Sequence, residues 1–441
     1  MATAAELSLK ILQALRRQGG VLSSAELQEQ LGASQPTVSR ALAPLIQSGQ
    51  VQKVGAARAQ RYVLPRSVPG VGREVPVMRV DAQGQPSPFA RLLPLAGGAV
   101  WVEEADGVSA QHGGLPWFLD DMRPQGFMGR TFAHAHPELQ LGHDPRHWND
   151  DDVLRALALF GDDLPGNLIV GEAAFQRFHT LPERASRVES AADYPRLAEQ
   201  AMQGTLGGSS AGGEQPKFCT RTAGRHVLVK FSPAGDAPVD QRTRDLLVCE
   251  HLALQTLAQA GVSAARTQVF MAAGRVFLEV ERFDRTAHGP LTGRVGMVSL
   301  MVYDAEYVGE MDNWAATANR MLSRGLLTVA DARTLRLLEA YGMLIANTDR
   351  HYGNISLLLA DDDWTLSPAY DMLPMLYAPI GGELVERDFA ARPLQPTAAT
   401  LPEWAQARAL AMTFWQAVAA DDRVSAGFRA IAAENLGQIK R

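Results

Sequence analysis

The residues best suited to chemistry lie in the run 347–354 and at Asp371. Asp349 is followed five positions later by the amide of Asn354, and the second carboxylate, Asp371, comes 22 positions after the first. A short, fixed carboxylate can accept a hydroxyl proton, while carboxylate and amide oxygens are hard ligands that suit Mg²⁺. This spacing predicts metal-assisted phosphoryl transfer, with Asp349 as the base and with Asn354 and Asp371 as metal ligands. Taken singly, Asp349 could cap a turn and Asp371 could be a solvated loop acid.

The flanking pattern predicts how these groups are positioned. Residues 328–346 read as a helix that begins at Thr328 as its N-cap and runs straight into the Asp349 loop. Residues 355–359 and 364–366 read as two short strands joined by a turn of three aspartates. Helix, loop, hairpin and Asp371 in this order are expected to gather the three polar groups at one end of a short β-ribbon.

A glycine-rich stretch over residues 207–217 is the next candidate site. Such a loop lets backbone N–H groups approach phosphates without obstruction by Cβ atoms, although Gly/Ser stretches also serve as linkers. It precedes a predicted hairpin, 217–221 with 226–231. The nucleotide-binding candidates within it are Ser210, Gly212, Gly213, Gln215 and Lys217.

Lys230 strengthens the nucleotide hypothesis because it lies inside an apolar strand, where a buried lysine needs a partner. In kinases the equivalent lysine contacts the α- and β-phosphates and pairs with a helix glutamate. Glu250, on a predicted helix over residues 238–260, is the natural partner. The alternative is an edge-strand lysine that points into water. After another hairpin, Glu281 and Phe283 fall where a hinge would hydrogen-bond adenine through its backbone.

Composition indicates an ordinary globular protein with room for two or three domains in 441 residues, of which 46% are hydrophobic and 20% charged. Cys219 and Cys249 are the only cysteines, so a disulfide framework is not expected and a reducing cytoplasm is the expected location. The N-terminus lacks a signal-peptide pattern, and the most apolar stretch, residues 92–102, is too short to span a bilayer. No membrane partner is predicted.

Charge is unevenly distributed along the chain. The net charge is −6, yet residues 1–66 carry eight Lys/Arg against three acids. A small basic segment on an acidic body suggests a separate module with its own partner.

Residues 1–66 read as a winged helix-turn-helix. An amphipathic helix over 7–17 is followed by a second one capped by Ser23 or Ser24, and Ser34 is expected to cap a third. Residues 51–54 and 61–64 form the wing. A dimerisation or regulatory module is the alternative to DNA binding. The side chains expected to contact DNA are Gln35, Thr37, Arg40, Arg58 and Arg61.

The segment between this module and the nucleotide elements is less informative. Residues 67–73 look like a linker, and 75–80 and 99–104 are candidate strands. Residues 106–190 give no functional assignment. Four histidines there lie in a Pro/Asp-rich stretch without cysteine, so surface histidines are favoured over a zinc site: His134, His136, His143 and His147.

Over residues 205–375 the order and spacing of these motifs resemble the HipA toxin kinases. The resemblance implies a two-lobed kinase-like fold with a helical C-lobe, ATP- and Mg²⁺-dependent Ser/Thr protein kinase activity, and a loop serine whose autophosphorylation switches the enzyme off. Ser210 is in register with that serine, and Ser209 is adjacent. The motifs are Ser210-x-x-Gly213-x-Gln215-x-Lys217, Lys230, Glu281–Arg285, Asn347–His351 with Asn354, and Pro368-x-Tyr370-Asp371.

The chain departs from the usual family arrangement, in which a separate antitoxin binds DNA, because its helix-turn-helix is fused in front of the kinase. It therefore looks like the fused, YjjJ-type branch. The predicted class is α+β, a winged helix-turn-helix followed by a two-lobed kinase-like fold. The predicted divisions are 1–66 for this module, 67–73 for the linker, 74–285 for the N-lobe and 286–441 for the C-lobe.

Three functional hypotheses follow. The first is an active Ser/Thr kinase, favoured by the intact Asp349, Asn354, Asp371 and Lys230. The second is a DNA-binding transcriptional regulator whose kinase-like body senses nucleotide without catalysis, and the third is a small-molecule kinase. The resemblance gives a translation component such as an aminoacyl-tRNA synthetase as a candidate substrate. DNA, through residues 1–66, and an antitoxin are candidate partners.

Overall fold

The computed structural model describes residues 4–55, 60–184, 187–204, 213–286, 292–360, 363–392 and 394–441. Along the chain these form four regions, here called the N-terminal region (4–66), the middle region (67–184), the sheet lobe (187–286) and the helical lobe (292–441). The architecture is mixed α and β, as the sequence predicted.

The N-terminal region is a winged helix-turn-helix. Ser23 caps its second helix, because its hydroxyl accepts the Glu26 N–H while the Glu26 carboxylate accepts the Ser23 N–H. Gly32 ends that helix at φ 57°, a left-handed conformation that glycine adopts without strain. Ser34 occupies the next N-cap position without a capping hydrogen bond. The elements are α1 Ala4–Arg17, β1 Val21–Leu22, α2 Ser24–Leu31, α3 Gln35–Gln47, β2 Gln52–Val54 and β3 Arg61–Val63, with strand order β1-β3-β2.

The middle region packs helices against an antiparallel sheet of order β7-β6-β5-β4-β8. The last strand returns from the far end of the region to pair with the first, and both strands contribute to one apolar core. The elements are β4 Val75–Val80, β5 Pro86–Pro94, β6 Val100–Glu104, β7 Ser109–His112, α4 Gly126–Ala135, α5 Asp150–Phe160, β8 Leu168–Val170 and α6 Glu172–Arg184.

The segment 67–73 is not an extended tether. Val68 is completely buried in the core of the middle region, and its N–H and carbonyl both hydrogen-bond with Gly72 across a tight turn. The Pro and Gly residues that suggested a linker here form this turn. The N-terminal region is consequently joined to the middle region by packed structure.

The sheet lobe has strand order β12-β13-β11-β10-β9. One face of this sheet packs on α7, and the other packs on α8, which carries Glu250. The predicted hairpin turn at Ala223-Gly224 and the long helix from Pro238 are both present. The elements are β9 Arg187–Val188, α7 Tyr194–Met202, β10 Lys217–Thr222, β11 Arg225–Phe231, α8 Pro238–Gln259, β12 Thr267–Ala272 and β13 Arg275–Glu281.

The helical lobe surrounds the largest apolar core of the part of the chain that is described. Thr328 caps α11 as predicted, since its hydroxyl accepts the Asp331 N–H at 3.0 Å. The predicted β-ribbon is present as β17 and β18, with β16 on its other side. The elements are β15 Gly293–Arg294, which pairs with β14 Arg285–Thr286 of the sheet lobe, β16 Met297–Ser299, α9 Leu300–Tyr307, α10 Trp314–Ser323, α11 Val329–Leu344, β17 Ser356–Ala360, β18 Asp363–Leu366, α12 Trp404–Ala420 and α13 Ala426–Lys440.

Among the described residues, no helix is both long enough and apolar enough to cross a membrane.

Candidate active site

The Asp349 loop is held by hydrogen bonds of its own residues. The Asn347 side-chain oxygen accepts the Asp349 N–H at 2.9 Å, and the Asn354 amide nitrogen donates to the Asp349 carbonyl at 2.9 Å. Asn347 is completely buried, so it anchors the loop to the helical lobe. The Asp349 carboxylate remains 48% exposed. A fixed backbone under an accessible carboxylate is what proton transfer from a bound hydroxyl requires.

Helix α11 also holds this loop, through a residue pair that the sequence analysis missed. The Arg350 Nε donates to Glu339 on α11 at 3.0 Å, and the guanidinium also donates to the Asn347 carbonyl. A Cβ at Gly342 would lie 2.5 Å from the Arg350 Cδ, so this glycine makes room for the arginine. A glutamate in the predicted apolar helix was the one signal that could have revealed the pair.

Asp371 of the helical lobe contacts Lys230 of the sheet lobe, and the junction of the two lobes at this contact is here called the cleft. The Lys230 ammonium lies 2.7 and 2.9 Å from the two carboxylate oxygens of Glu250, and it also donates to Asp371. Asp371 has φ 53°, a left-handed conformation that costs a non-glycine residue about 1–3 kcal/mol. Such strain persists where surrounding contacts fix the residue, and it concentrates at functional sites.

The electrostatics of this triad keep the lysine charged. Burial alone would lower the pKa of Lys230, but contact with the Asp371 and Glu250 carboxylates raises it above its usual range. Burial raises the pKa of Glu250 to about 7, and the Lys230 charge offsets only part of that effect. The pKa of Asp371 is lowered, since the charges of Lys230 and Lys217 outweigh its burial. The cleft thus presents fixed positive charge beside a carboxylate.

Lys217 adds a second ammonium to the cleft. It lies opposite Lys230 in the antiparallel register of β10 and β11, and its side chain is also buried. Burial lowers the pKa of Lys217 to about 8, and the Asp371 charge partly offsets this. An ammonium whose charge is disfavoured by burial gains from an anionic ligand, which raises its pKa again.

The remaining nucleotide-binding candidates have different outcomes. Gly213 has φ 91°, which favours glycine, and the Gln215 amide donates to the Phe231 carbonyl at 2.7 Å within the protein. Ser209, Ser210 and Gly212 lie outside the described residues.

At the predicted hinge, Glu281 is the last residue of β13, and the Phe283 ring lies 5.6 Å from that of Tyr370, the neighbour of Asp371. The polar run after Glu281 was expected to serve adenine through its backbone. The side chains of this run also bind the middle region, because Arg282 and Arg285 form ion pairs with Asp163.

The helix-turn-helix exposes two of its five predicted DNA-contacting residues to solvent. Gln35 and Arg40 are exposed on α3, whereas Thr37 is half-buried and its hydroxyl lies 3.0 Å from that of Ser34. Arg61 is half-buried on β3, and its guanidinium donates to the Gln60 carbonyl. Arg58 lies outside the described residues.

The four histidines of the middle region belong to no cluster of three or more potential metal ligands among the described residues. In the part of the chain that the structure describes, no group of three or more His, Cys, Asp or Glu side chains could hold a metal ion. His136 instead stacks on Phe160 at 3.9 Å, and burial lowers the pKa of this histidine.

Family models match three separate parts of the chain. The family model of the HipA-like C-terminal domain matches residues 209–435, that of the YjjJ-like toxin middle domain matches 71–179, and that of the IclR helix-turn-helix domain matches 4–55. The toxin YjjJ of Escherichia coli (strain K12) is 39% identical over 431 residues, which cover 96% of each chain.

The fold has a counterpart among solved structures. The HipA, HipB and operator DNA complex of Shewanella oneidensis MR-1 contains a chain that matches with a TM-score of 0.53 at 14% identity, covering 82% of this chain and 95% of that one. At this identity the likeness concerns the fold alone. Together with the domain matches and the YjjJ relative, it shows that this chain belongs to the HipA-like toxin family with a kinase-like fold, in its YjjJ-like branch.

Proposed function

We propose that this protein is an ATP- and Mg²⁺-dependent Ser/Thr protein kinase. The observation that carries the proposal is the meeting of Lys230, Glu250 and Asp371 in one cleft, where the Asp371 carbonyl lies 3.5 Å from the amide nitrogen of Asn347 in the Asp349 loop. In the transfer, the hydroxyl oxygen of the substrate bonds to the γ-phosphorus of ATP as the β–γ bridging bond breaks and ADP leaves. Asp349 accepts the hydroxyl proton.

The donor set fits Mg²⁺. The Asn354 amide nitrogen is used by the Asp349 carbonyl, which leaves the amide oxygen as its ligand atom, and the Asp371 side chain is 32% exposed. Asn354 and Asp371 would therefore hold the metal. When bound, Mg²⁺ supplies neutralisation of charge on the β- and γ-phosphate oxygens. Lys230 and Lys217 add positive charge for the phosphates, and Glu250 orients Lys230.

The test compares Asp349→Ala with Asp371→Ala, and uses Asp422→Ala, an exposed residue of the helical lobe, as the control. Both site variants are expected to lose phosphoryl transfer from radiolabelled ATP. Calorimetry should show near-normal Mg-ATP binding for Asp349→Ala and weaker binding for Asp371→Ala. Activity within about tenfold of wild type, equal to ~1.4 kcal/mol, contradicts the assigned role of that residue. Normal nucleotide binding without transfer by the wild type favours the non-catalytic sensor.

We further propose that Ser210, or the adjacent Ser209, is autophosphorylated as an off-switch. A phosphate there adds about −1.5 to −2 charge beside the triphosphate site, and repulsion would disfavour ATP. Mass spectrometry after incubation with Mg-ATP tests this. Phosphate found only outside residues 209–210 removes the autoregulation and leaves the kinase proposal standing.

Residues 1–66 are proposed to bind DNA, supported by the exposed Gln35 and Arg40 on α3. Arg40→Ala should weaken binding to genomic fragments at low salt, and affinity should fall steeply as salt rises. Arg429→Ala, an arginine on α13, is the matched control. A HipB-like antitoxin is a candidate partner because the Shewanella protein was solved with HipB and operator DNA. An aminoacyl-tRNA synthetase remains the candidate protein substrate.

A further inference from the structure

The middle region contacts the segment that follows the glycine-rich stretch. Helix α4 begins at Gly126, and the Phe127 N–H donates to the Gly213 carbonyl at 3.1 Å. The Phe127 ring meets that of Phe231 on β11 edge to face, with centroids 6.4 Å apart. One turn of α4 is therefore bound to the sheet lobe by a backbone hydrogen bond and by an aromatic contact.

The approach of the two backbones requires glycine. Gly126 has φ 55°, and a Cβ there would lie 2.3 Å from the Gly213 carbonyl oxygen. That atom belongs to the backbone and cannot rotate away, so a side chain at position 126 must displace either α4 or Gly213. The contact is thus intolerant of even a methyl group.

A second contact holds Glu214, the residue that follows Gly213. Arg130, one turn further along α4, donates to both carboxylate oxygens of Glu214, at 3.3 and 2.5 Å. The Arg130 charge lowers the pKa of Glu214, in agreement with a formed pair. Both side chains are largely exposed, so this pair contributes less than the backbone contact.

The segment held in this way lies against a cleft lysine. A Cβ built on Gly213 would lie 2.9 Å from the Lys217 ammonium, so the position of Gly213 limits where that ammonium can lie. Lys217 is buried in the same cleft as Lys230 and Asp371, whose charges act on it. A displacement of Gly213 by α4 would therefore reach the Lys217 ammonium directly.

We propose that Gly126, Phe127 and Arg130 of the middle region are positioning residues for nucleotide, acting through Gly213 and Glu214 on Lys217. This inference deepens the proposed function and rests on it. The middle region would then be part of the nucleotide-binding apparatus, although it touches no phosphate itself.

The test is Gly126→Ala against Gly107→Ala in the full-length protein. Gly107 has φ 96° and lies in the same region, but a Cβ there meets no atom within 4 Å, so it reproduces the backbone strain without the contact. Mg-ATP affinity by calorimetry, the KM for ATP, kcat and the melting temperature are measured. Gly126→Ala should raise Kd and KM for ATP about tenfold with kcat within about twofold, whereas Gly107→Ala should leave them unchanged.

If Gly126→Ala does not fold, charge-reversal variants of Arg130 and Glu214 test the proposal instead. Arg130→Glu should weaken Mg-ATP binding about twofold to fivefold, and Arg130→Glu with Glu214→Arg should restore it. Equal ATP affinities for Gly126→Ala and Gly107→Ala, or no rescue by the double reversal when the glycine variant is unfolded, overturn the proposal. If wild-type protein bound no Mg-ATP at all, the proposed function would fail first, and this inference with it.

Discussion

Two contacts of the middle region, one with the N-terminal region and one with the sheet lobe around Asp163, differ in their chemistry. Toward the N-terminal region it presents an apolar cluster and pairs backbone groups, as in the Arg66 N–H donating to the Pro94 carbonyl at 2.8 Å. Toward the sheet lobe it presents charge, because Asp163 forms ion pairs with Arg282 and Arg285 in a buried setting. The apolar cluster comprises Val54, Val63, Leu93, Leu95, Ala99 and Trp101.

The two interfaces should differ in how much stability is lost when one of their side chains is replaced. Apolar surfaces lose transfer energy in proportion to the area exposed, whereas an ion removed from a buried network leaves its partner uncompensated. Asp163 and Asp284 face Arg282, Arg285 and Arg294, so the cations are already in excess. Nε and Nη1 of Arg294 are buried and make no hydrogen bond within the described chain. We therefore expect the charged interface to be the more sensitive one.

The largest effect is expected from Asp163→Asn, which removes a carboxylate from this network. Burial alone would raise the pKa of Asp163, but Arg282, Arg285 and Arg294 hold it at about 2. Breaking such a buried pair should lower the free energy of unfolding by about 3–5 kcal/mol, as measured by urea denaturation. Asp422→Asn, whose carboxylate is 96% exposed, is the control and should not change stability. Equal stabilities of the two variants would falsify the predicted sensitivity.

On the apolar side, Leu95→Ala should cost about 2–3 kcal/mol. Leu95 is completely buried between the middle and N-terminal regions, and truncation leaves a cavity. Leu9→Ala, at an exposed position on α1, should cost no more than about 0.5 kcal/mol. Because the apolar cluster of Leu95 contains none of the proposed nucleotide-binding residues, Mg-ATP affinity should be unchanged. A loss of stability equal to that of Asp163→Asn would remove the distinction between the interfaces.

A fall in pH should destabilise the charged interface, between the middle region and the sheet lobe, before the apolar one. His226 is buried beside this network, and its Nε2 lies 3.0 Å from the Thr292 hydroxyl. Burial lowers the pKa of His226 to about 3, so the folded protein keeps it neutral. An unfolded histidine takes up a proton below about pH 6.5, so stability is lost as pH falls through 6.5 toward 3, by up to about 1.4 kcal/mol per pH unit.

The slope of unfolding free energy between pH 7 and pH 5 tests this. His226→Gln should reduce the slope, although His251, with a pKa lowered to about 4 by burial, keeps part of it. His147→Gln, at an exposed position, is the control variant. Asp163 does not interfere, because its contribution is lost only below about pH 4. An unchanged slope in His226→Gln would show that folding does not lower the pKa of this histidine.

The smallest effect is expected at the ion pair between the N-terminal and middle regions. Arg66 and Asp151 form a two-pronged pair, but their side chains remain 28% and 34% exposed. Asp151→Asn should cost at most about 1 kcal/mol, and less at high salt, in denaturation measurements. A cost above that of Asp163→Asn would reverse the order of the two interfaces.

The sequence by itself determined the loops and helix caps that depend on interactions between residues a few positions apart. The Asp349 loop follows from hydrogen bonds that span two to five positions, with Asn347 and Asn354, and the caps of α2 and α11 lie within one turn. The position of Lys230 also indicated a pair, because a lysine inside an apolar strand needs an anion. The kinase-like fold was predicted from the resemblance of the motifs to the HipA toxin kinases, whereas the single helices, strands and turns could be predicted from their own periodicity and turn residues.

Only the tertiary structure decided how the middle region serves the cleft. Its last strand, Leu168–Val170, is too short to show periodicity and finds its partner β4 about ninety residues earlier. Asp163 meets Arg282, and Gly126 meets Gly213, across similarly long separations. Nothing in the local sequence marks such partners. A carboxylate or a glycine in a loop has many solvated alternatives, and packing of the whole chain selects among them by excluding water and fixing the distances between backbones.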